Sequence, residues 1–512
     1  MLAKCYTGAI NGVDASTVEI EVYSALGTSS FAIVGLPDTA VKEAKDRVST
    51  ALKNSGYRSK EEYAVTVNLA PADVRKEGPI YDLPIAVCLL KATKRLRTER
   101  LADCAMAGEL ALSGEVRRVK GILPIVMEMR RIGKRAILVP AANAVEASVV
   151  SGIDVIPVST LREAALYLSG ERDISPVFTD LGDLVESGRE EGDDFADVKG
   201  QENVRHAMEL AVAGGHNMLM IGPPGSGKTM LARRIPSILP PMSVEEALEV
   251  SKIHSVAGPE KCEGTFVTHR PFRAPHHTVS AVGLLGGGAH PVPGEVSLAH
   301  RGVLFLDEFA EFPRHALEVL RQPLEDGHVG VSRAAAACDY PSRFMLVAAM
   351  NPCPCGYLGD ARRECRCTQR QILHYQQRVS GPLLDRIDIQ VGVDAVRVDE
   401  LASLPNGESS ATIRERVLAA RRIQSERYRG MRGVFTNADA KSRDLNDICR
   451  LTVRAAEEIR GTLERLNLSA RAYDRVLRLA RTSADLRGAA DVTEEDIMIA
   501  SGYRMLDMKF WA

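Results

Sequence analysis

The stretch "MLMIGPPGSGKTMLARR", residues 218–234, limits what this chain can fold into more than any other. An apolar run, a glycine-rich loop and a helical run follow one another, and the loop matches G-x-x-x-x-G-K-[ST] at every fixed position. Such a loop needs a buried strand in front of it and a crossover helix behind it, so a parallel α/β sheet is required. Gly222, Gly225 and Gly227 let backbone N–H groups curl around phosphates, with Pro223, Pro224 and Ser226 completing the loop. Lys228 is placed to reach the β- and γ-phosphates, and Thr229 to offer its hydroxyl to Mg²⁺. ATP and Mg²⁺ are the expected ligands. Downstream, "GVLFLDE" is an apolar strand with two carboxylates at its C-terminal end, where ligands bind in such sheets. Asp307 is expected to hold Mg²⁺ and Glu308 to orient the attacking water.

With 512 residues, the chain is too long for one core, and the pattern divides it into four stretches. Residues 1–170 alternate β-rich runs with helical ones and read as a small α/β domain. Residues 171–194 hold nine acidic residues against two arginines and read as a solvated linker. Residues 195–395 carry the P-loop and further strand-like runs, hence the α/β nucleotide-binding core. Residues 396–512 show helical periodicity with few β signals. No apolar run approaches the roughly 18 residues needed to span a bilayer. The N-terminus, "MLAKCYTGAINGVDAS", lacks the apolar core of a signal peptide, so a cytoplasmic location with reduced thiols is expected. A net charge of −2 gives no global footprint for nucleic acid, although a ring can line a basic channel without being basic overall.

Three further polar residues stand where such a site needs them. "RFMLVAAMN" is another buried strand, and Asn351 at its tip would hold the attacking water beside the γ-phosphate. "SGPLLDRID" supplies Arg386, suited to stabilise transition-state charge on a neighbouring subunit's nucleotide. "NLSARAYDRVLRLARTSADL" puts Arg471 at the start of a helix, expected to face the phosphates.

Together with "NLAPADVRKEGPIYDLPIA", "FRAPHHTVSAVGLLGGG", "PGEVSLAHRGVLFLDE", "LEDGHVGVSR" and "AAMNPCPCG", these stretches resemble the ComM/YifB family of magnesium-chelatase-like AAA+ ATPases over nearly the whole chain. In that resemblance Asn351 is sensor 1, Arg386 the arginine finger and Arg471 sensor 2. It implies a homo-hexameric ring and an ATP-driven helicase that migrates branched DNA in recombination or natural transformation. It further implies that "LEDGHVGVSR" is a β-hairpin with His328 and Arg333 near the pore; an ordinary turn at "DGH" is the other reading. "FRAPHHT" reads as an insert loop, since two adjacent imidazoles would point apart on any regular element. On "GEVRRVKGILPIVMEMRRIGKRAILVPAAN" and "EGPIYDLPIA", the N-terminal domain resembles the proteolytic domain of Lon, at its lysine stretch and its serine loop respectively. There the serine position is Ile80 and the lysine position Leu123, and neither can act as nucleophile or base, so the resemblance implies an inactive scaffold.

The chain concentrates four of its ten cysteines, Cys353, Cys355, Cys365 and Cys367, in a C-x-C-x9-C-x-C pattern. Four thiolates satisfy a tetrahedral Zn²⁺, though C-x-C is tighter than the usual C-x2-C. Reduced thiols in a packed loop and a redox-sensitive cluster are the alternatives. Two functions besides a DNA motor are compatible with the ATPase residues. One is a chelatase-type ATPase that remodels a protein partner, against which stand the Lon-like N-terminal domain and the lack of an evident integrin-type D-x-S-x-S metal site for an assembly partner. The other is a Lon-like protease, which Ile80 and Leu123 set back.

Overall fold

A computed structural model describes the chain except residues 59–60, 188–191, 259–265, 289–290, 334–335, 361–362, 396–404, 432, 467–469 and 505–512. At its N-terminus, Leu2–Asn11 (β1) and Asp14–Leu26 (β2) largely alternate buried and exposed side chains, the period of an antiparallel pair. They join in a hairpin whose turn residue Gly12 takes φ 63°. Ser30–Val34 (β3) and Tyr63–Ala70 (β4) extend this ribbon on one side. Cys104–Met106 (β5), Ala136–Pro140 (β6) and Asp154–Val158 (β7) extend it on the other, in the order β3-β4-β2-β1-β5-β6-β7. Helices cover both faces. Cys5 of β1 meets Asp82–Ala92 (α1) through the Pro84 carbonyl, whereas Gly8, on the opposite face, lies against Ile125 of Ile122–Arg131 (α2). Leu83, Ile85, Ala86, Val87, Cys88 and Leu90 leave α1 apolar on nearly all sides, and it is buried accordingly.

The acidic stretch differs from the sequence expectation. Its described part includes a helix, Leu181–Ser187, and Val177 donates its N–H to Val155 O at 2.9 Å. Ile174, Val177, Leu181 and Leu184 pack against the N-terminal core. Ile174 and Val177 precede the helix, Val177 in an antiparallel bridge to Val155, and Leu181 and Leu184 lie one turn apart on it; the surplus of carboxylates conceals these apolar residues in a composition count.

The second sheet is built from short, wholly buried runs: Met218–Ile221 (β8), Val303–Leu306 (β10) and Met345–Met350 (β13), with Phe272–Arg273 (β9) at one edge and Ile389–Gly392 (β14) at the other. All pairs are parallel, in the order β9-β10-β13-β8-β14. Burial on both faces explains why these runs are continuously apolar rather than alternating. Between β10 and β13, His328–Arg333 (β11) and Ala336–Pro341 (β12) form an antiparallel hairpin.

Helix Glu202–Gly214 (α3) precedes β8, and Lys228–Arg233 (α4) follows the P-loop. Val244–Ala257 (α5) carries a capping box made by Ser243 and Glu246 and docks on the N-terminal domain. Gly121 donates its N–H to Ser255 O at 2.8 Å, and Ser255 Oγ donates to the buried Glu146. Two C-terminal helices, Ser410–Arg427 (α6) and Ala470–Leu486 (α7), pack on α3. Beneath them, His216 reaches Thr482 Oγ1 at 2.8 Å and Asp388 at 3.4 Å. Arg427 and Arg481 both bond the buried Asp485. Among the described residues, no helix is long and apolar enough to cross a membrane.

Candidate nucleotide-binding site

Because β8, β10 and β13 run parallel, their C-terminal ends present the P-loop, the Asp307–Glu308 pair and Asn351 at one edge of the sheet. Gly222 opens the loop and donates its N–H to Met350 O at 3.2 Å. A Cβ at Gly222 would come within 2.2 Å of Val393 O, so no other residue fits there. Gly225 and Gly227 take φ 76° and 91°, which glycine adopts without strain.

Lys228 is only 8% exposed, and its Nζ donates to Gly222 O at 2.8 Å and Pro223 O at 2.9 Å. Ser226 Oγ and Asn351 Oδ1 lie 3.4 Å away. Burial lowers the Lys228 pKa from the usual lysine range. A partly desolvated ammonium held only by neutral oxygens gains most from an arriving polyanion, so this geometry suits phosphate. Thr229 Oγ1 donates to Asp307 Oδ2 at 2.6 Å. These are hard oxygen donors of the kind Mg²⁺ takes, and the residues therefore fit that ion.

Glu308 has φ 51°, a left-handed conformation uncommon outside glycine and often found at functional sites. Its backbone N–H donates to Asp307 Oδ1 at 2.9 Å, and its exposed carboxylate lies 2.9 Å from His277 Nδ1. His277 belongs to "FRAPHHT". Its ring lies 4.1 Å from that of His276, and its edge meets Phe312. The two imidazoles do not point apart, because the segment is a turn rather than a regular element. The contact of His277 with the Glu308 carboxylate is not foreseen from the sequence, where "FRAPHHT" reads only as an insert loop.

Lys228, Thr229, Asp307, Glu308 and Asn351 are thus brought together, whereas Arg386 and Arg471 are not. Arg386 precedes β14, and Asn217, just before β8, donates its side-chain amide to the Arg386 carbonyl at 2.8 Å. This is the N-terminal end of the strands, opposite the P-loop. The Arg386 guanidinium bonds Glu325 and the Pro382 carbonyl of its own chain. Arg471 is the second residue of α7 and is exposed. One turn on, Arg475 approaches Asp385 and Asp388 at 3.9 and 4.0 Å, and Thr482 reaches His216, so α7 crosses this same end. Among the described residues, Arg471 makes no hydrogen bond or ion pair with the P-loop, Asp307, Glu308 or Asn351. The sequence could place it at a helix start but could not say which end of the sheet that helix crosses.

The remaining expectations fall in three places. Cys353, Cys355, Cys365 and Cys367 converge, their sulfurs lying within 4.8 Å of one another. His328 opens β11, exposed, with Nδ1 3.1 Å from Asp326 O. The side chain of Arg333 lies outside the described residues. Ile80 and Leu123 are 5% and 0% exposed in the N-terminal core, packed as aliphatic residues.

Comparison with known proteins agrees with this architecture. The pattern for magnesium chelatase, subunit ChlI, matches residues 194–401; a second ChlI pattern matches residues 18–143, and the ChlI C-terminal pattern residues 407–504. The chain is 42% identical to YifB of Escherichia coli over 509 residues, spanning 99% of this chain and 97% of that protein. It is 41% identical to the competence protein ComM of Haemophilus influenzae, spanning 99% and 98%. A Lon protease of Leptospira interrogans is 25% identical over 176 residues, 33% of this chain and 21% of that protein.

Proposed function

The chain belongs to the magnesium-chelatase-like AAA+ family that includes ComM and YifB, and from that premise we propose an ATP-hydrolysing motor that works as a homo-hexamer and drives migration of branched DNA in recombination or natural transformation. One observation carries the ring reading. The groups that bind phosphate lie at one end of the sheet, and Arg386, suited to stabilise its developing charge, lies at the other. An arginine that cannot serve its own site can serve the next copy's, and such head-to-tail contacts form a ring when the rotation between copies closes, which is the arrangement proposed here.

In this mechanism Lys228 exchanges the loop carbonyls for the β- and γ-phosphates of ATP. Thr229 and Asp307 would hold Mg²⁺, which when bound neutralises charge on those phosphates. Asn351 and Glu308 position the attacking water, and Glu308 must first leave His277. Arg386 of the adjacent copy, released from Glu325, stabilises charge in the transition state. Zn²⁺ at the four cysteines is a structural ion in this reading. The N-terminal domain is a scaffold without peptidase chemistry, since aliphatic side chains occupy both dyad positions.

The DNA assignment draws on ComM, named a competence protein, and on the β11–β12 hairpin ahead of Asn351. The test is ATPase rate with single-stranded, duplex and four-way-junction DNA, together with junction migration. Stimulation by at least one structure, and migration that fails in Glu308→Gln, is expected. A hexameric, ATP-hydrolysing preparation that responds to no DNA at low salt overturns the DNA reading and favours remodelling of a protein partner.

A further inference from the structure

The cysteine cluster begins two residues after Asn351, and its four sulfurs are arranged as a metal would need them. Cys353–Cys355, Cys353–Cys365 and Cys355–Cys365 are separated by 3.4, 3.7 and 3.6 Å. Neighbouring sulfurs around a tetrahedral zinc with bonds of about 2.3 Å lie roughly 3.8 Å apart. Cys353 is buried and the other three are half-buried, so four protein ligands enclose the centre, as in structural rather than catalytic zinc sites.

The loop is also packed against the nucleotide site. Gly356, between the two cysteine pairs, is buried with φ 85° and donates its N–H to Cys353 O at 2.9 Å. A Cβ there would come 2.5 Å from Pro224 Cδ and 2.7 Å from its Cγ, with Asn351 Cγ 3.8 Å away. The backbone of the knuckle is therefore seated on the P-loop at Pro224, with the sensor asparagine next to it.

We infer that one zinc ion held by Cys353, Cys355, Cys365 and Cys367 closes this knuckle, and that the knuckle braces Pro224 and Asn351 so that nucleotide affinity depends on the metal. The inference rests on the zinc and ATP readings above and adds the coupling between them. A loop that joins C-x-C to C-x-C gains its fixed shape from the ion, and binding free energy of a structural metal is folding free energy for the segment it closes. Without the ion, Gly356 has no reason to stay seated on Pro224.

Gly359 provides the control. It takes φ 78°, close to that of Gly356, but a Cβ there meets nothing within 4 Å. Gly359→Ala therefore imposes similar backbone strain without touching the P-loop. Zinc content, thermal unfolding and affinity for a fluorescent ATP analogue would be measured on the full chain. Wild type purified without chelator should hold about one zinc per chain. Gly356→Ala should keep its zinc and lose about tenfold or more in analogue affinity, as overpacking against a rigid neighbour does. Gly359→Ala should keep both. Stripping zinc from wild type should lower the affinity, and restoring zinc should recover it.

Wild type with under about a tenth of a zinc per chain overturns the metal. Wild-type affinity in Gly356→Ala, an equal loss in Gly359→Ala, or unchanged affinity after stripping overturns the brace while leaving the zinc site standing. A zinc-loaded wild type that binds no nucleotide analogue fails the ATP reading instead.

Discussion

Glu308 sits in a left-handed conformation and hands its carboxylate to His277 rather than to the phosphate edge. Two predictions follow from that arrangement. Glu308→Gln should keep ATP affinity near wild type while kcat falls about 10²-fold or more, because the amide cannot take a proton from water. Wild-type turnover in that variant removes Glu308 from its role. His277→Ala should free the carboxylate and raise basal kcat by roughly two- to tenfold with KM for ATP unchanged, the range for a partly exposed bond to a charged group. A fall in kcat would make His277 a supporter of Glu308 rather than its restraint. Lys228, Thr229, Asp307 and Asn351 were legible in the sequence because each stands at a fixed distance from an apolar strand. His277 was not, because nothing in a loop's spacing tells which side chain it will meet.

Among the elements, α5 joins the nucleotide-binding core to the N-terminal domain, and Glu146 lies at that contact. Burial raises its pKa, outweighing the hydrogen bonds from Ser255 and Asn143 and the charge of Arg118. A carboxyl whose folded pKa lies above the unfolded value of about 4.3 costs stability as pH climbs through that window. Glu146→Gln does not titrate. It should therefore match wild type below about pH 4 and be at least as stable at pH 7, read as the urea midpoint of the unfolding transition at both pH values. A variant markedly less stable at pH 7 would show that the ionised form is the favoured one. The same domain should leave casein and fluorogenic peptides intact with ATP present, because Ile80 and Leu123 are packed as core. Reproducible cleavage by purified protein would overturn the scaffold assignment. Strands of this size were readable from runs such as "YAVTVNLA" and "RAILVP". The packing of Ile174, Val177, Leu181 and Leu184 was not, since the carboxylates around them outweigh them in any average of composition.

For the whole molecule, the sheet order and the two ends of its strands matter more than any single motif. The sequence puts Lys228 and Asn351 just after apolar strands but carries no sign of which end of the sheet Arg386 reaches; that follows only from the parallel register of β8, β13 and β14. If the ring encloses DNA, stimulation of the ATPase should fall steeply between about 50 and 200 mM salt through counterion release. Stimulation that is flat across that range would argue against phosphate contacts.

The central claim, a nucleotide site completed by a second copy, is tested most directly by mixing two inactive variants. Lys228→Ala cannot bind phosphate, and Arg386→Ala should bind ATP nearly as wild type yet not hydrolyse it. In mixed rings some interfaces pair an intact P-loop with an intact Arg386, so ATPase activity should partly return. Mixed rings that stay inactive, or an Arg386→Ala chain whose ATP affinity falls as far as that of Lys228→Ala, would contradict the account.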